Sequence, residues 1–88
     1  MPKVFAEQGL EFWVYTGDHP PAHSHVIRGT KKGRGKKAEV LIYLGNEQTR
    51  PSLRKNRGMR KQDVQKVLGI AFRRQAELLQ IWRQIYGN

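Results

Sequence analysis

The stretch Asp18-His19-Pro20-Pro21-Ala22-His23-Ser24-His25-Val26 contains all three histidines of the 88-residue chain and two of its four prolines. Proline fixes its own φ angle and pushes the residue before it into extended geometry, so the first half predicts a rigid corner. The second half predicts a strand, in which successive side chains point to opposite faces of a sheet. His23 and His25 should therefore lie on one face, with Ser24 on the other.

Hydrophobic segments on both sides of this stretch predict an antiparallel sheet. The strand candidates are residues 10–15, 23–28 and 38–44, with residues 4–6 and 49–53 as shorter ones. The longer segments are rich in β-branched and aromatic residues, and Pro51 confines the last candidate to a sheet edge. The pattern predicts a sheet of three to four strands.

From about residue 59 to residue 86 the apolar side chains recur at helical spacing. They form one stripe at intervals of three, four and seven residues: Val64, Val67, Leu68, Ala71, Leu78, Leu79, Trp82, Ile85 and Tyr86. Gly69 interrupts it at a cost of ~1 kcal/mol relative to alanine, which favours one bent helix over two, and Gly87 ends it. The sequence predicts the α+β class, with the sheet packed under one long C-terminal helix in a single domain, residues 1–88.

Ile70 and Ile81 lie beyond one edge of the apolar stripe and widen it to about 200° on α-helical geometry. Two interpretations stay open. The two side chains form the rim of the core, or they contact a protein partner or a second copy of the chain. Under the second interpretation the chain is a regulatory partner-binding protein that docks through its long helix.

The formal net charge is +10, from 17 Lys and Arg against 7 Asp and Glu, and it indicates a polyanionic partner such as nucleic acid. Most of the basic residues lie in two blocks that contain no acidic residue. The predicted nucleic-acid contacts are Arg28, Lys31, Lys32, Arg34, Lys36 and Lys37 in the first block and Arg50, Arg54, Lys55, Arg57, Arg60 and Lys61 in the second. Residues 29–37 lack apolar side chains, which predicts a mobile hairpin loop that can follow a phosphate backbone.

Three further features bear on nucleic-acid binding, and the second and third favour RNA or single strands over a duplex that is read by its bases. Arg57, Arg60 and Lys61 crowd the predicted helix N-terminus, where the macrodipole disfavours cations and a bound phosphate would relieve the conflict. Alternation places Trp13 and Tyr15 on one sheet face, where aromatic rings can stack on bases. The long helix uses its apolar stripe for the core, so no recognition helix is predicted.

Three interpretations of the histidine cluster stay open. His19, His23 and His25, with Asp18, could act as general base and acid in a metal-independent ribonuclease, in which the ribose 2′-hydroxyl attacks the adjacent phosphate. His23 and His25 could instead be metal ligands, although His-x-His in one strand is a weak metal pattern. In the third interpretation these residues hold the corner together. We predict no cofactor.

Cysteine is absent from the chain, so a disulfide framework and thiolate chemistry are excluded. The N-terminal residues do not resemble a signal peptide, and no stretch approaches the ~20 apolar residues of a membrane span. We expect a cytoplasmic protein without a membrane partner.

The histidine stretch, together with Glu77-Leu78-Leu79-Gln80-Ile81-Trp82, resembles the small bacterial family catalogued as domain of unknown function 4160. The family pattern is Asp-His-x-Pro-Pro-His-x-His after a hydrophobic strand, followed later by a helix with Glu-Leu-Leu-x-x-Trp. Ser24 departs from the usual aromatic residue, and the basic loop at 30–37 is an insertion. The resemblance implies a bacterial or phage-like gene, the sheet-plus-helix layout and toxin–antitoxin-like gene neighbours, but no established activity.

These observations predict a small basic nucleic-acid-binding protein, within a toxin–antitoxin-like module if the resemblance holds. The ribonuclease and the partner-binding protein are the two alternatives.

Overall fold

The fold is that of a computed structural model, which describes residues 3–15, 17, 20–28 and 38–87. Five strands are followed by two helices: β1 (Lys3–Glu7), β2 (Leu10–Trp13), β3 (His23–Arg28), β4 (Ala38–Tyr43), β5 (Ser52–Arg57), α1 (Lys61–Arg73) and α2 (Gln75–Tyr86). The strands form one antiparallel sheet in sequence order. The α+β class is confirmed, whereas the predicted count of three to four strands is wrong.

Strand β5 is the one that the hydrophobic pattern describes least well, because it carries no apolar alternation. All six of its residues are exposed, and three of them are basic. The sequence predicted a strand at 49–53, but β5 begins at Ser52 and continues through part of the second basic block to Arg57. An edge strand needs a single neighbour for its backbone hydrogen bonds and need not bury a face. As Pro51 predicted, the strand lies at the edge of the sheet.

The core lies between the two helices and one face of the sheet. Phe12 in β2 and Ile42 in β4 are fully buried, and Phe5 of β1 stacks on Phe12 with ring centroids 4.7 Å apart. The helical stripe supplies the other side of the core, in which Val67, Ala71, Leu78 and Trp82 are buried. The alternating apolar residues of the strands and the apolar stripe of the helices thus pack together in one core cluster.

The helical region is divided into two helices, so the prediction of one long helix is wrong. The break is at Arg74, with φ −112° and ψ 26°, whereas Gly69 lies inside α1. Contacts distant in sequence hold this junction: Arg74 donates to Glu7 of β1, and the Gln75 amide donates to the carbonyl oxygens of Leu44 and Thr49. Gly87 ends α2 in the left-handed conformation, as predicted.

Glu7 links β1 to the end of α1. It accepts from the guanidinium groups of both Arg73 and Arg74, and Arg74 also lies 3.5 Å above the ring of Phe5. Partial loss of hydration raises the pKa of Glu7, but the two arginines outweigh this effect and lower the pKa below its ordinary value. The first strand is therefore fixed to the helical layer by charge as well as by packing.

The two isoleucines at the margin of the helical stripe belong to the monomer core. Ile70 is 3% exposed, and Ile81 is half-buried against the core cluster. This placement fits the rim interpretation, and a partner contact through these residues stays a prediction. Within the described residues, no helix is long and apolar enough to span a membrane. The predicted mobile loop at 29–37 lies outside the described residues.

The turn between β4 and β5 depends on a glycine at residue 45. Gly45 has φ +70°, and a Cβ atom there would overlap the carbonyl oxygen of Thr49. Gly9 has a similar φ of +77°, but a Cβ atom at Gly9 would have no neighbour within 4 Å. A substitution at either glycine would place a side chain at positive φ, which strains the backbone. Only at Gly45 would the new side chain also clash with a neighbouring atom.

We predict that Gly45→Ala destabilises the protein more than Gly9→Ala. Both variants should lose about 1 kcal/mol because alanine disfavours the left-handed region. Gly45→Ala should lose a further ~1–3 kcal/mol because the turn must open to admit the methyl group. Urea denaturation of both variants measures the difference, and equal losses would show that the Gly45 turn relaxes freely.

Candidate nucleic-acid interface

The face of the sheet opposite the helices, here called the outer face, carries aromatic, basic and acidic side chains. The strand register places Lys3, Trp13, His25, Leu41 and Lys55 in one row across all five strands. The next row contains Glu11, Ile27, Glu39 and Arg57, and His23 and Tyr43 are paired in a third row. The outer-face residues of β2 and β4 are half-buried, unlike their fully buried neighbours in the core.

Aromatic rings cluster on the outer face around His25. The ring of Tyr15 stacks on the imidazole of His25 at 4.1 Å, and the rings of Trp13 and Tyr15 are 6.2 Å apart. The indole N–H of Trp13 donates to Glu11 at 3.1 Å, which fixes the ring plane. Trp13 and Tyr15 thus share a face, as alternation predicted. Each ring keeps part of its surface in solvent.

His25 is paired with a carboxylate that the sequence did not connect to it. Its Nδ1 lies 3.2 Å from Oε2 of Glu39, and the side chains are 13% and 28% exposed. A carboxylate accepts, so Nδ1 carries the proton in this hydrogen bond. A guanidinium nitrogen of Arg57 lies 3.9 Å from the other oxygen of Glu39. Only strand register brings residues 25 and 39 together, so no sequence signal pointed to this pair.

His23 is more enclosed than His25. It is 3% exposed, and its Nδ1 donates to the carbonyl oxygen of Pro21 at 3.0 Å. Its ring centroid lies 5.5 Å from that of His25 and 5.4 Å from the ring of Trp82 in α2. His23 thus joins the histidine corner to the helical layer. This environment fits the structural interpretation for His23.

Ser24 takes the opposite face from the two histidines, as predicted. It is fully buried, and its hydroxyl donates to the carbonyl oxygen of Trp13 at 2.8 Å. The small polar side chain thereby fastens β3 to the end of β2. A hydroxyl with a partner can be buried at little cost.

Asp18 and His19, predicted to complete a catalytic or metal site, lie outside the described residues. Within the part of the chain that the structure describes, no group of three or more His, Cys, Asp or Glu side chains could hold a metal ion. The described half of the cluster therefore consists of a His25–Glu39 pair and an enclosed His23.

The second basic block is divided between the two sides of the sheet. On the outer face, Lys55 is paired with Leu41 and Arg57 is paired with Glu39. The guanidinium of Arg54 lies 5.8 Å above the ring of Tyr43. On the helix side, Arg50 lies 5.0 Å above the ring of Phe72. The basic rim of the outer face thus comes from β5. Of the first block, Lys31, Lys32, Arg34, Lys36 and Lys37 lie outside the described residues.

Arg28 and Arg60 meet at a buried carboxylate near the start of α1. Asp63 is 5% exposed, and its Oδ2 lies 3.4 Å from Arg28 and 3.5 Å from Arg60. Lys61 begins α1 and is exposed. The register pairs Arg28 with Leu10 and Ala38, so Arg28 lies on the helix side and not beside Trp13 and Tyr15.

Asp63 changes the electrostatic argument drawn from the sequence. It is the third residue of α1, where a carboxylate is favourable to the helix dipole, and it compensates two cations that crowd this end. The protein thus supplies an anion of its own at the site where a phosphate was expected. The signal was present in the sequence as an acidic residue three positions after Arg60.

We predict that Asp63→Asn destabilises the protein more than Glu77→Gln. Each residue is third in its helix and pairs with an arginine three positions earlier, but Glu77 is 45% exposed, so Glu77→Gln is a matched control. Asp63→Asn should lower the free energy of unfolding by about 1–2 kcal/mol, because the buried carboxylate interacts with the helix terminus and two arginines. Glu77→Gln should cost about 0.5 kcal/mol. Urea denaturation in low salt and in high salt tests this: high salt should reduce only the effect of Glu77, and equal effects would contradict the prediction.

Comparison with known proteins gives one result on the family and none on activity. A family model described as "Domain of unknown function (DUF4160)" matches residues 9–83. This range includes the strands of the outer face from β2 to β5, the histidine stretch and most of the helical layer. No curated protein and no solved structure matches the chain. The chain therefore belongs to the DUF4160 family, a family whose function is undefined.

Proposed function

We propose that the protein binds single-stranded nucleic acid, with RNA favoured, across the outer face of its sheet. The observation that carries this proposal is the position of Trp13, Tyr15 and Tyr43, which are partly exposed on the face opposite the helices. Bases stack on such rings with about 1–3 kcal/mol per base, whatever their sequence. Aromatic residues that stack bases on the open face of a sheet are also found in RNA-binding modules, although the sheet of those modules has four strands and this one has five.

The charge of the outer face supports a strand that runs from the aromatic cluster to β5. Arg54, Lys55 and Arg57 lie along this edge, and Lys3 lies at the opposite end of the Trp13 row. Phosphates of a bound strand would contact these cations while its bases lie on the rings. The net charge of +10 adds long-range attraction.

A duplex is a poorer fit than a single strand. Base pairing and stacking hide the flat faces of the bases, so aromatic side chains on a sheet cannot reach them. An α-helix could read a major groove, but α1 and α2 direct their apolar stripes into the core. Both observations favour unpaired bases as the ligand.

We predict that Trp13→Ala weakens binding of a single-stranded RNA oligonucleotide about 5- to 150-fold, the equivalent of one lost stacking contact. Phe72→Ala is the matched control, because Phe72 is an exposed aromatic residue beside an arginine on the helix side. Fluorescence anisotropy at several salt concentrations, with RNA, single-stranded DNA and duplex DNA, measures affinity and salt dependence. Equal losses for the two variants, or tighter binding of the duplex, would overturn the proposal.

A ribonuclease remains a second candidate because of the His25–Glu39 pair. Hydrogen bonding to Glu39 orients the imidazole of His25 as a general base for a ribose 2′-hydroxyl. The 2′-oxygen would bond to phosphorus as the P–O5′ bond breaks, and the 5′-oxygen would take a proton from water. Arg28 and Arg50 lie on the helix side of the sheet, so Lys55 and Arg57 on the outer face are the cations that would stabilise the developing charge. A role in a toxin–antitoxin-like module is a further proposal, which rests on family resemblance.

If the second candidate is correct, the protein cuts RNA in the presence of a chelator and leaves a 2′,3′-cyclic phosphate. His25→Ala should abolish cleavage, and Glu39→Gln should slow it by about 10²- to 10⁴-fold, the range of one general acid–base contribution. RNA with a single 2′-deoxy substitution should resist cleavage at that position. Intact RNA with the unmodified protein would exclude this candidate and leave the binding proposal standing.

A further inference from the structure

Strand β5 is an open edge of the sheet. It is last in the strand order, pairs with β4, and has no second strand neighbour within the described residues. All six of its residues are exposed. The outward side of such a strand presents backbone N–H and C=O groups that can pair with another extended chain.

The two faces beside this edge have different chemistry. Lys55 and Arg57 lie on the outer face, opposite Leu41 and Glu39, and Arg54 extends over the outer-face ring of Tyr43. These three side chains make the outer side of the edge basic.

The helix side of the same edge exposes two apolar side chains, beside Asn56 of β5 and the Arg50 guanidinium that lies over the ring of Phe72. Leu53 pairs with the core residue Ile42, and it is 41% exposed. Phe72, in the helix that packs beside β5, is 52% exposed. These two are the exposed large hydrophobic side chains of the described residues.

An added strand has a side-chain period of two, so alternate residues would meet the basic side and the apolar side. We propose that β5 binds an extended segment of another protein in which acidic and apolar residues alternate. The segment would add a sixth strand to the sheet. Its backbone would pair with β5, its acidic residues would contact Lys55 and Arg57, and its apolar residues would cover Leu53 and approach Phe72.

A second copy of this chain does not fit the edge. Pairing of β5 with itself would place the basic residues of the two strands beside one another, and like charges across a strand pair are destabilising. The opposite edge of the sheet differs from β5. At that edge, Glu7 of β1 is held by Arg73 and Arg74, so the edge carries a compensated charge. Charge complementarity thus favours β5 over β1 as the binding edge, and an acidic segment over a second copy of the chain as the partner.

The inference goes beyond nucleic-acid binding and does not depend on it. If both hold, the acidic segment and a nucleic acid would compete for Lys55 and Arg57, and the partner would regulate the outer face.

The test uses the full chain, labelled with ¹⁵N, and a synthetic peptide of alternating glutamate and valine. Binding should slow the hydrogen exchange of β5 amides, because their outward groups become paired. A lysine–valine peptide and a glutamate–proline peptide are controls for charge and for backbone pairing, and neither should bind. Lys55→Glu combined with Arg57→Glu should weaken binding by more than about tenfold. Lys66→Glu, on the exposed side of α1, should change it much less.

Three outcomes would overturn the inference. One is no binding of the glutamate–valine peptide. Another is equal binding of the glutamate–proline peptide without protection of β5, which would indicate general attraction to a basic surface. The third is protection of β5 without peptide, accompanied by a mass that rises with concentration, which would show that the edge pairs with a second copy.

Discussion

Packing of two helices against one face of the sheet is the constraint on which the other features of this protein depend. Phe12 and Val14 must point into the helical layer to form a core, and β geometry then forces Trp13 and Tyr15 to the other face. The same alternation in β3 sends Ser24 inward and His25 outward. The chemistry of the outer face is therefore a consequence of the way in which the core is built.

The few carboxylates of the chain make contacts that organise its basic residues. Glu7 holds the arginines at the helix junction, Asp63 holds Arg28 and Arg60, and Glu39 lies between His25 and Arg57. Glu47 contacts Arg83, and its own backbone hydrogen bond together with that arginine lowers its pKa. With so few acidic residues, their positions decide which part of the excess positive charge is compensated. On the outer side of β5, Arg54 lies over the ring of Tyr43, and Lys55 is paired with Leu41.

The histidine stretch contains two histidines, His23 and His25, that look alike in the sequence but lie in different environments. His23 is enclosed by the corner and by Trp82, which links the sheet to the last helix. His25, two residues later, is partly exposed, stacked on Tyr15 and paired with Glu39. The contacts of His23 are those of a packed side chain, whereas His25 combines a carboxylate partner with partial exposure to solvent. The neighbours of each ring, Pro21 and Trp82 for His23 and Tyr15 and Glu39 for His25, make the two environments different.

The sequence by itself determined the α+β class, the central strands, the face shared by Trp13 and Tyr15, and the helix end at Gly87, because each depends on local periodicity or on one residue's conformational preference. It also placed residues 23–28 correctly as a strand. Tertiary structure alone decided the helix break at Arg74, the extent of β5 and the pairing of His25 with Glu39. Arg74 is held by Glu7, far away in the chain, and β5 forms on the backbone of β4 without a hydrophobic pattern. The partner of His25 follows from strand register, which a sequence does not display until the strands are aligned in space.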